Sequence, residues 1–344
     1  MTIPTSPSLS ISCHSPVYSI AFSNNSNNFT LAYSSFNPNL NNSLHILSCR
    51  QNNLSLLTSL PVAYPITKLL WAPNAFSSTE FLATTSDYFR LWEFVTPDVD
   101  DAPPLLICRA TLSNVRKVGQ NKQELCAPLT SFDWNDIDSS LCVTSSLDTT
   151  CTIWDMNTQQ AKTQLIAHDS DVLDVAFADG VNCFASVGAD GSVRMFDQRS
   201  LAHSTIIYET TPVNGNTSKS NPSLIRLGWN KKDPNYLATF QQDSKSVVLL
   251  DIRVPAVPIS ELHGHTGDIN AIHWAPHSSS HIASAGEKAF IWDILTPTLG
   301  STHQIKSPIK QYDTPRTASN ITWSKAHPDW IAVCSGDEIH TVHI

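Results

Sequence analysis

The stretch Val143-Thr-Ser-Ser-Leu-Asp-Thr-Thr-Cys-Thr-Ile-Trp154 decides the fold. It opens on small and β-branched residues, turns tightly at Asp148, and returns as a β-branched strand that ends in an indole. Such residues suit a pleated, half-buried surface, so the stretch is a hairpin. Just upstream, Thr130-Ser-Phe-Asp-Trp134 is a shorter strand that also ends in an aromatic.

Both phrases recur. The short strand returns with closing aromatics at Phe22, Trp71, Trp134, Phe177, Trp229, Trp274 and Trp323, which lie 43 to 63 residues apart. The hairpin returns clearly at 82–92 and 185–196, in degenerate form at 237–250, 282–292 and 331–342, and most weakly at 31–47. The spacing is slightly longer than the ~40–45 residues of a plain WD repeat. A small sheet with apolar side chains on both faces cannot bury both alone. Radial packing against copies of itself buries them, and ring closure protects the edges.

Seven copies predict an all-β, seven-bladed WD-repeat β-propeller in one domain, residues 1–344. The repeats fall at about 16–50, 62–95, 126–156, 167–199, 223–253, 264–295 and 317–344. The last copy lacks an outer strand, and Leu9-Ser-Ile-Ser-Cys13 is strand-like and unattached. Residues 9–13 are therefore expected to supply that strand and fasten the ring.

Polar residues recur inside the copies. A His before the first strand, a Ser or Thr on the second, an Asp in the turn and a Trp on the third can form one relay. Buried polar groups are tolerable when every member is satisfied. The candidates are His168, Ser186 and Asp190 in the fourth copy, where Phe196 replaces the Trp. In the third they are Ser145, Asp148 and Trp154. In the sixth they are His265, Ser284 and Trp292, with Glu287 in a shortened turn. A set recurring once per repeat, with no G-x-S-x-G elbow, reads as structure and not as a hydrolase. The pairs His263/His265 and His277/His281 lack a third ligand nearby, so no metal or cofactor is expected.

Charge is sparse, at 15% Asp, Glu, Lys and Arg with a net of −9, and the basic doublets Arg116-Lys117 and Lys231-Lys232 form no patch. Direct nucleic-acid binding is not expected. The eight cysteines include no C-x-x-C pair and read as reduced thiols. No apolar run approaches the ~18 residues that span a bilayer. The N-terminus has no basic signal region. These features predict a soluble protein of cytoplasm and nucleus, monomeric by itself.

Longer motifs carry a narrower resemblance. Cys126-Ala-Pro-Leu-Thr-Ser-Phe-Asp-Trp-Asn135, Asp148-Thr-Thr-Cys-Thr-Ile-Trp-Asp155, Thr163-Gln-Leu-Ile-Ala-His-Asp169, Ala189-Asp-Gly-Ser-Val-Arg-Met-Phe-Asp197 and His203-Ser-Thr-Ile-Ile-Tyr-Glu209 resemble the Transparent Testa Glabra group. That group takes in the petunia anthocyanin WD protein, an animal cullin-adaptor homologue and fungal relatives. The resemblance is dense from about 64 to 292 and departs before residue 60, at Gln198, at Glu287 and after Ile294. It implies a non-catalytic scaffold whose partners are transcription factors, DYRK-type kinases or a cullin adaptor.

Loops at one end of the ring form the expected partner face: Tyr88, Phe89, Arg90, Asp148, Thr150, Asp190, Ser192, Gln242, Asp243, and Arg116 and Lys117 in the loop 113–127. Aromatics and Arg dominate interface hot spots. The alternative role, substrate receptor or adaptor of a cullin-RING ligase, points to an aromatic-Asp-x-Arg box at Phe196, Asp197 and Arg199, echoed at Asp251 and Arg253. A purely local Asp–Arg pairing there is the competing reading.

Overall fold

The computed structural model describes residues 8–39, 41–50, 53–97, 103–118, 123–211, 221–294 and 303–344. Among them there is no helix, and seven antiparallel sheets form the blades of a propeller. The third blade shows the pattern. Leu129–Trp134, Leu141–Ser146, Thr150–Asp155 and Gln160–Ile166 pair in order as strands a to d, from the ring axis outward. Strand b is buried throughout and strand d is mostly exposed, so the small residues sit where blades crowd and the polar ones face water.

The seventh blade takes its outer strand from the other end of the chain. Ser8–Ser12 runs antiparallel to Glu338–His343, with Leu9 opposite Thr341 and Ile11 opposite Ile339. The expected closing strand is therefore in place, one residue earlier than 9–13. The fifth blade has a fifth strand that the repeat pattern did not predict. His303–Ile305 adds in parallel to the outside of Ser260–His263. It comes from the segment that leads to the sixth blade's own strand d, Lys310–Asp313.

The core is divided into seven clusters, one at each joint between neighbouring blades. At the joint of blades two and three, Trp154, Phe89 and Phe132 meet at ring distances of 5.1 and 6.1 Å from Phe89. Each large side chain buried this way contributes roughly 1.5–3 kcal/mol.

Polar stitches accompany these cores. In five blades strand a carries a bulge four residues before its closing aromatic, at Tyr18, Thr130, Leu173, Ile225 and Ser319. A bulge re-aims its side chain. Thr130 thereby donates to the Val172 carbonyl at 2.6 Å and Ser319 to that of Val17 at 2.7 Å, each in the next blade. Thr67 and Asn270 hold the same position and reach the carbonyls of Leu129 and Ala318.

Candidate protein-binding faces

Strand direction sorts the loops. The b–c turns and d–a connections lie at one end of the ring, called upper here, and the a–b and c–d turns at the other. The expected partner face is the upper one, and the Asp-x-Arg boxes end strand c at the lower one.

On the upper face, the turn of blade two is closed on itself. Arg90 donates to both Asp87 oxygens, at 2.6 and 3.0 Å, and its guanidinium lies 5.2 Å from the Tyr88 ring centre. Burial opposes ionisation of Asp87, but the bonds from Arg90 and Ser86 hold its carboxyl below the usual range. Tyr88 and Arg90 are half-buried and form one joined plate on this face. Phe89 is not on the face: it is fully buried against Phe132 and Trp154, because alternation along strand c turns it inward.

Thr150 and Ser192 are also corrected. Both are buried, and their hydroxyls and amides bind the turn carboxylates Asp148 and Asp190 from within. Asp148 and Asp190 are themselves only partly exposed, whereas Gln242 and Asp243 are exposed. The loop 113–127 contains a two-stranded hairpin, Arg116–Val118 with Gln123–Leu125. The side chains of Arg116 and Lys117 lie outside the described residues.

The relays sit just beneath this face. In blade four, His168 Nδ1 lies 3.0 Å from both oxygens of Asp190, and Nε2 lies 2.7 Å from Ser186 Oγ. With Nδ1–H donating to the carboxylate, Nε2 accepts the Ser186 hydroxyl proton. Burial opposes ionisation of Asp190, but His168 and Ser192 outweigh it and keep the carboxyl far below its ordinary range. Arg194 adds a bond to the same carboxylate at 3.0 Å. Phe196 replaces the indole and stacks on Phe184, 5.0 Å between ring centres.

Blade six holds a longer relay. His265 Nε2 lies 2.7 Å from Ser284 Oγ, which also accepts Trp292 Nε1–H at 2.8 Å, and His265 Nδ1 lies 3.2 Å from Glu287. In blade three the expected Ser145 is the wrong member. Trp154 Nε1–H donates to Thr144 Oγ1 at 2.9 Å, while Ser145 faces the other way to Thr130 and Ser131. Neighbouring positions on a strand point to opposite faces, so an offset of one residue exchanges them. A further pair, Trp92 with Thr84 at 2.8 Å, was missed. It could have been found from spacing: the indole lies eight residues beyond its partner in blades two and six, and ten in blade three. Both relay histidine side chains are fully buried, so these His–Ser sets act as struts.

On the lower face the two boxes are local pairs. Arg199 binds both oxygens of Asp197 and Arg253 both of Asp251, while the two Asp residues also accept the backbone N–H of their own Arg. Phe196, expected as part of the box, is buried against Phe184. The arginine side chains remain 71% and 57% exposed, so their outer edges are available to a partner. Ala256 N–H donates to the Ile207 carbonyl, which draws the fifth blade's c–d turn against the fourth blade. Exposed Ile206, Val254 and Val257 lie on these same elements. Sequence reasoning missed them because scattered apolar residues in loops carry no periodic signal.

Comparison with known proteins fits this geometry. The family described as WD domain, G-beta repeat matches residues 159–197 and 256–293. A DDB1- and CUL4-associated factor 7 homolog of Dictyostelium discoideum is 44% identical over 334 residues, covering 95% of this chain and 96% of that protein. The chain belongs to the WD40-repeat family. An uncharacterised WD repeat-containing protein of Schizosaccharomyces pombe is 45% identical over 77% of this chain and 65% of its own length. A WD repeat-containing protein of Saccharomyces cerevisiae is 41% identical over 68% and 48%, respectively. As a WD40 propeller the chain is a scaffold-type protein whose partners are proteins.

Proposed function

We propose that this propeller is a non-catalytic adaptor that joins a cullin-associated assembly at its lower face to a client protein at its upper face. The observation that carries the reading is the pair of exposed arginines, Arg199 and Arg253, held by Asp197 and Asp251 on adjacent blades beside exposed apolar residues. Arg with apolar neighbours is the composition of an interface core. The name of the Dictyostelium relative, which spans nearly the whole chain, supports the same partner class. The Transparent Testa Glabra resemblance adds transcription factors and DYRK-type kinases as clients, met in the cytoplasm and nucleus.

Affinity purification separates the two faces. The double variant Arg199→Ala, Arg253→Ala should lose a cullin-adaptor subunit and keep its clients. Tyr88→Ala should weaken client binding by about 2 kcal/mol while retaining that subunit. Recovery of the subunit with the double variant, or its absence with wild type, defeats the reading.

A further inference from the structure

The ring axis encloses a cavity of about 280 Å³. Its upper wall is built from the residues three positions before each closing aromatic, among them Ser19, Lys68, Ser131, Asp174 and Arg226. Its lower wall includes Asp133 and His273.

Charges in the lower part cancel. Lys231 Nζ lies 3.3 Å from Asp133, and Lys325 reaches across the ring to Asp136 at 2.9 Å. His273 is held toward its neutral form by burial, despite the opposing bond to the Trp274 carbonyl. The upper layer does not cancel. Lys68 and Arg226 face the single carboxylate of Asp174. Asp174 is already saturated by Ser131 Oγ, Lys68 Nζ at 3.2 Å, and the amides of Val175 and Leu227. Burial opposes its ionisation, but the two cations and these donors keep its carboxyl below the usual range. A chain of net charge −9 thus keeps one excess positive charge in this axial cavity.

Donors in that layer are left over. Arg226 bonds the Ile225 carbonyl at 3.3 Å and the Tyr18 hydroxyl at 3.1 Å, and its Nε–H has no partner among the described residues. Ser19 is 2% exposed, lines the cavity, and its hydroxyl has no partner among the described residues. Arg226 and Lys68 are half-buried on the wall, so their unused N–H groups point to an acceptor inside the cavity. Planar guanidinium N–H groups suit oxyanions.

We propose that the upper half of the ring channel binds one small tetrahedral oxyanion of the phosphate or sulfate class, held by Arg226, Lys68 and Ser19. The anion supplies the missing negative charge and accepts the unused N–H and O–H donors. Entry is from the lower end, where the Lys325–Asp136 pair is partly exposed. Exposed pairs of this kind are weak enough to open.

Calorimetric titration of inorganic phosphate into the full chain, at ionic strength fixed with chloride, tests the site. Saturable binding at one site per chain is expected, with sulfate competing. Arg226→Met should weaken it about tenfold or more, and Ser19→Ala by a smaller factor. If Arg226→Met fails to fold, Lys68→Gln takes its place beside Ser19→Ala. Free phosphoserine distinguishes the source: displacement of phosphate assigns the site to phosphate monoesters, and failure to displace assigns it to the free ion. No saturable binding by wild type overturns the proposal, and so does wild-type affinity in all folded variants.

Discussion

Blades four and six meet the same need by different means. Each must bury a histidine between strand b and the d–a connection. Blade four spans from Ser186 to Phe196 with a full turn, and Asp190 reaches His168 with a short side chain. Blade six cuts the turn short, and the longer side chain of Glu287 covers the missing distance to His265. The indole then differs as well. Trp292 bonds Ser284, whereas Phe196 only stacks. The two blades teach that the strut is defined by where a carboxylate oxygen arrives, and that turn length and side-chain length trade against each other.

The largest test of that comparison removes the aromatic from each blade. Trp292→Ala should cost about 3–5 kcal/mol, and should exceed Phe196→Ala by the lost indole bond, about 1 kcal/mol. Equal losses by denaturant unfolding would show that the Trp292–Ser284 bond contributes nothing.

A smaller effect follows from shortening the acid. Glu287→Asp should draw the carboxylate away from both His265 and the Thr266 amide, which it accepts at 2.6 Å. The expected cost is about 1–2 kcal/mol. An unchanged midpoint would mean that the short turn can relax.

The smallest effect is a dependence on pH. Burial lowers the proton affinity of His265, and Glu287 offsets this only in part. A histidine whose folded value is depressed stabilises the protein above about pH 6.5 and loses that contribution as pH falls. Asp190 and Glu287, also depressed, keep theirs until pH falls below about 4. Hydrogen exchange between pH 7.5 and 5.5, corrected for intrinsic rates, should therefore show protection lost first around His265. Uniform protection across the range would contradict the assignment.

The ring was legible in the sequence because aromatics mark strand ends at a steady interval, and a missing outer strand at one end matched a spare strand at the other. The relay in blade three was displaced because Thr144-Ser145-Ser146 offers three small polar residues in a row. Composition alone does not say which faces the indole; the pleat does. The stitches at Thr67, Thr130, Asn270 and Ser319 were illegible for another reason. A polar residue beside an apolar strand looks solvent-facing until the entry to the strand, bulged at Thr130 and Ser319, turns it toward the next blade. The partner face was only partly legible, since Phe89, Thr150 and Ser192 have binding-type side chains but inward positions. The parallel strand His303–Ile305 gave no signal at all, being three residues long.

The strand that fastens the ring also sets an order of events in time. Leu9 leaves the ribosome 332 residues ahead of its partner Thr341. Until they pair, the strand Ser8–Ser12 has no partner and the first blade's inter-blade face stays open to the wrong neighbour. The contact of greatest sequence separation is the one that makes the molecule whole, so closure is slow and depends on every blade before it. The same pairing makes Ser8 and Val342 near neighbours in one sheet. A linker joining them, with a new break in an exposed turn elsewhere, would move the latch to another blade and leave the ring intact.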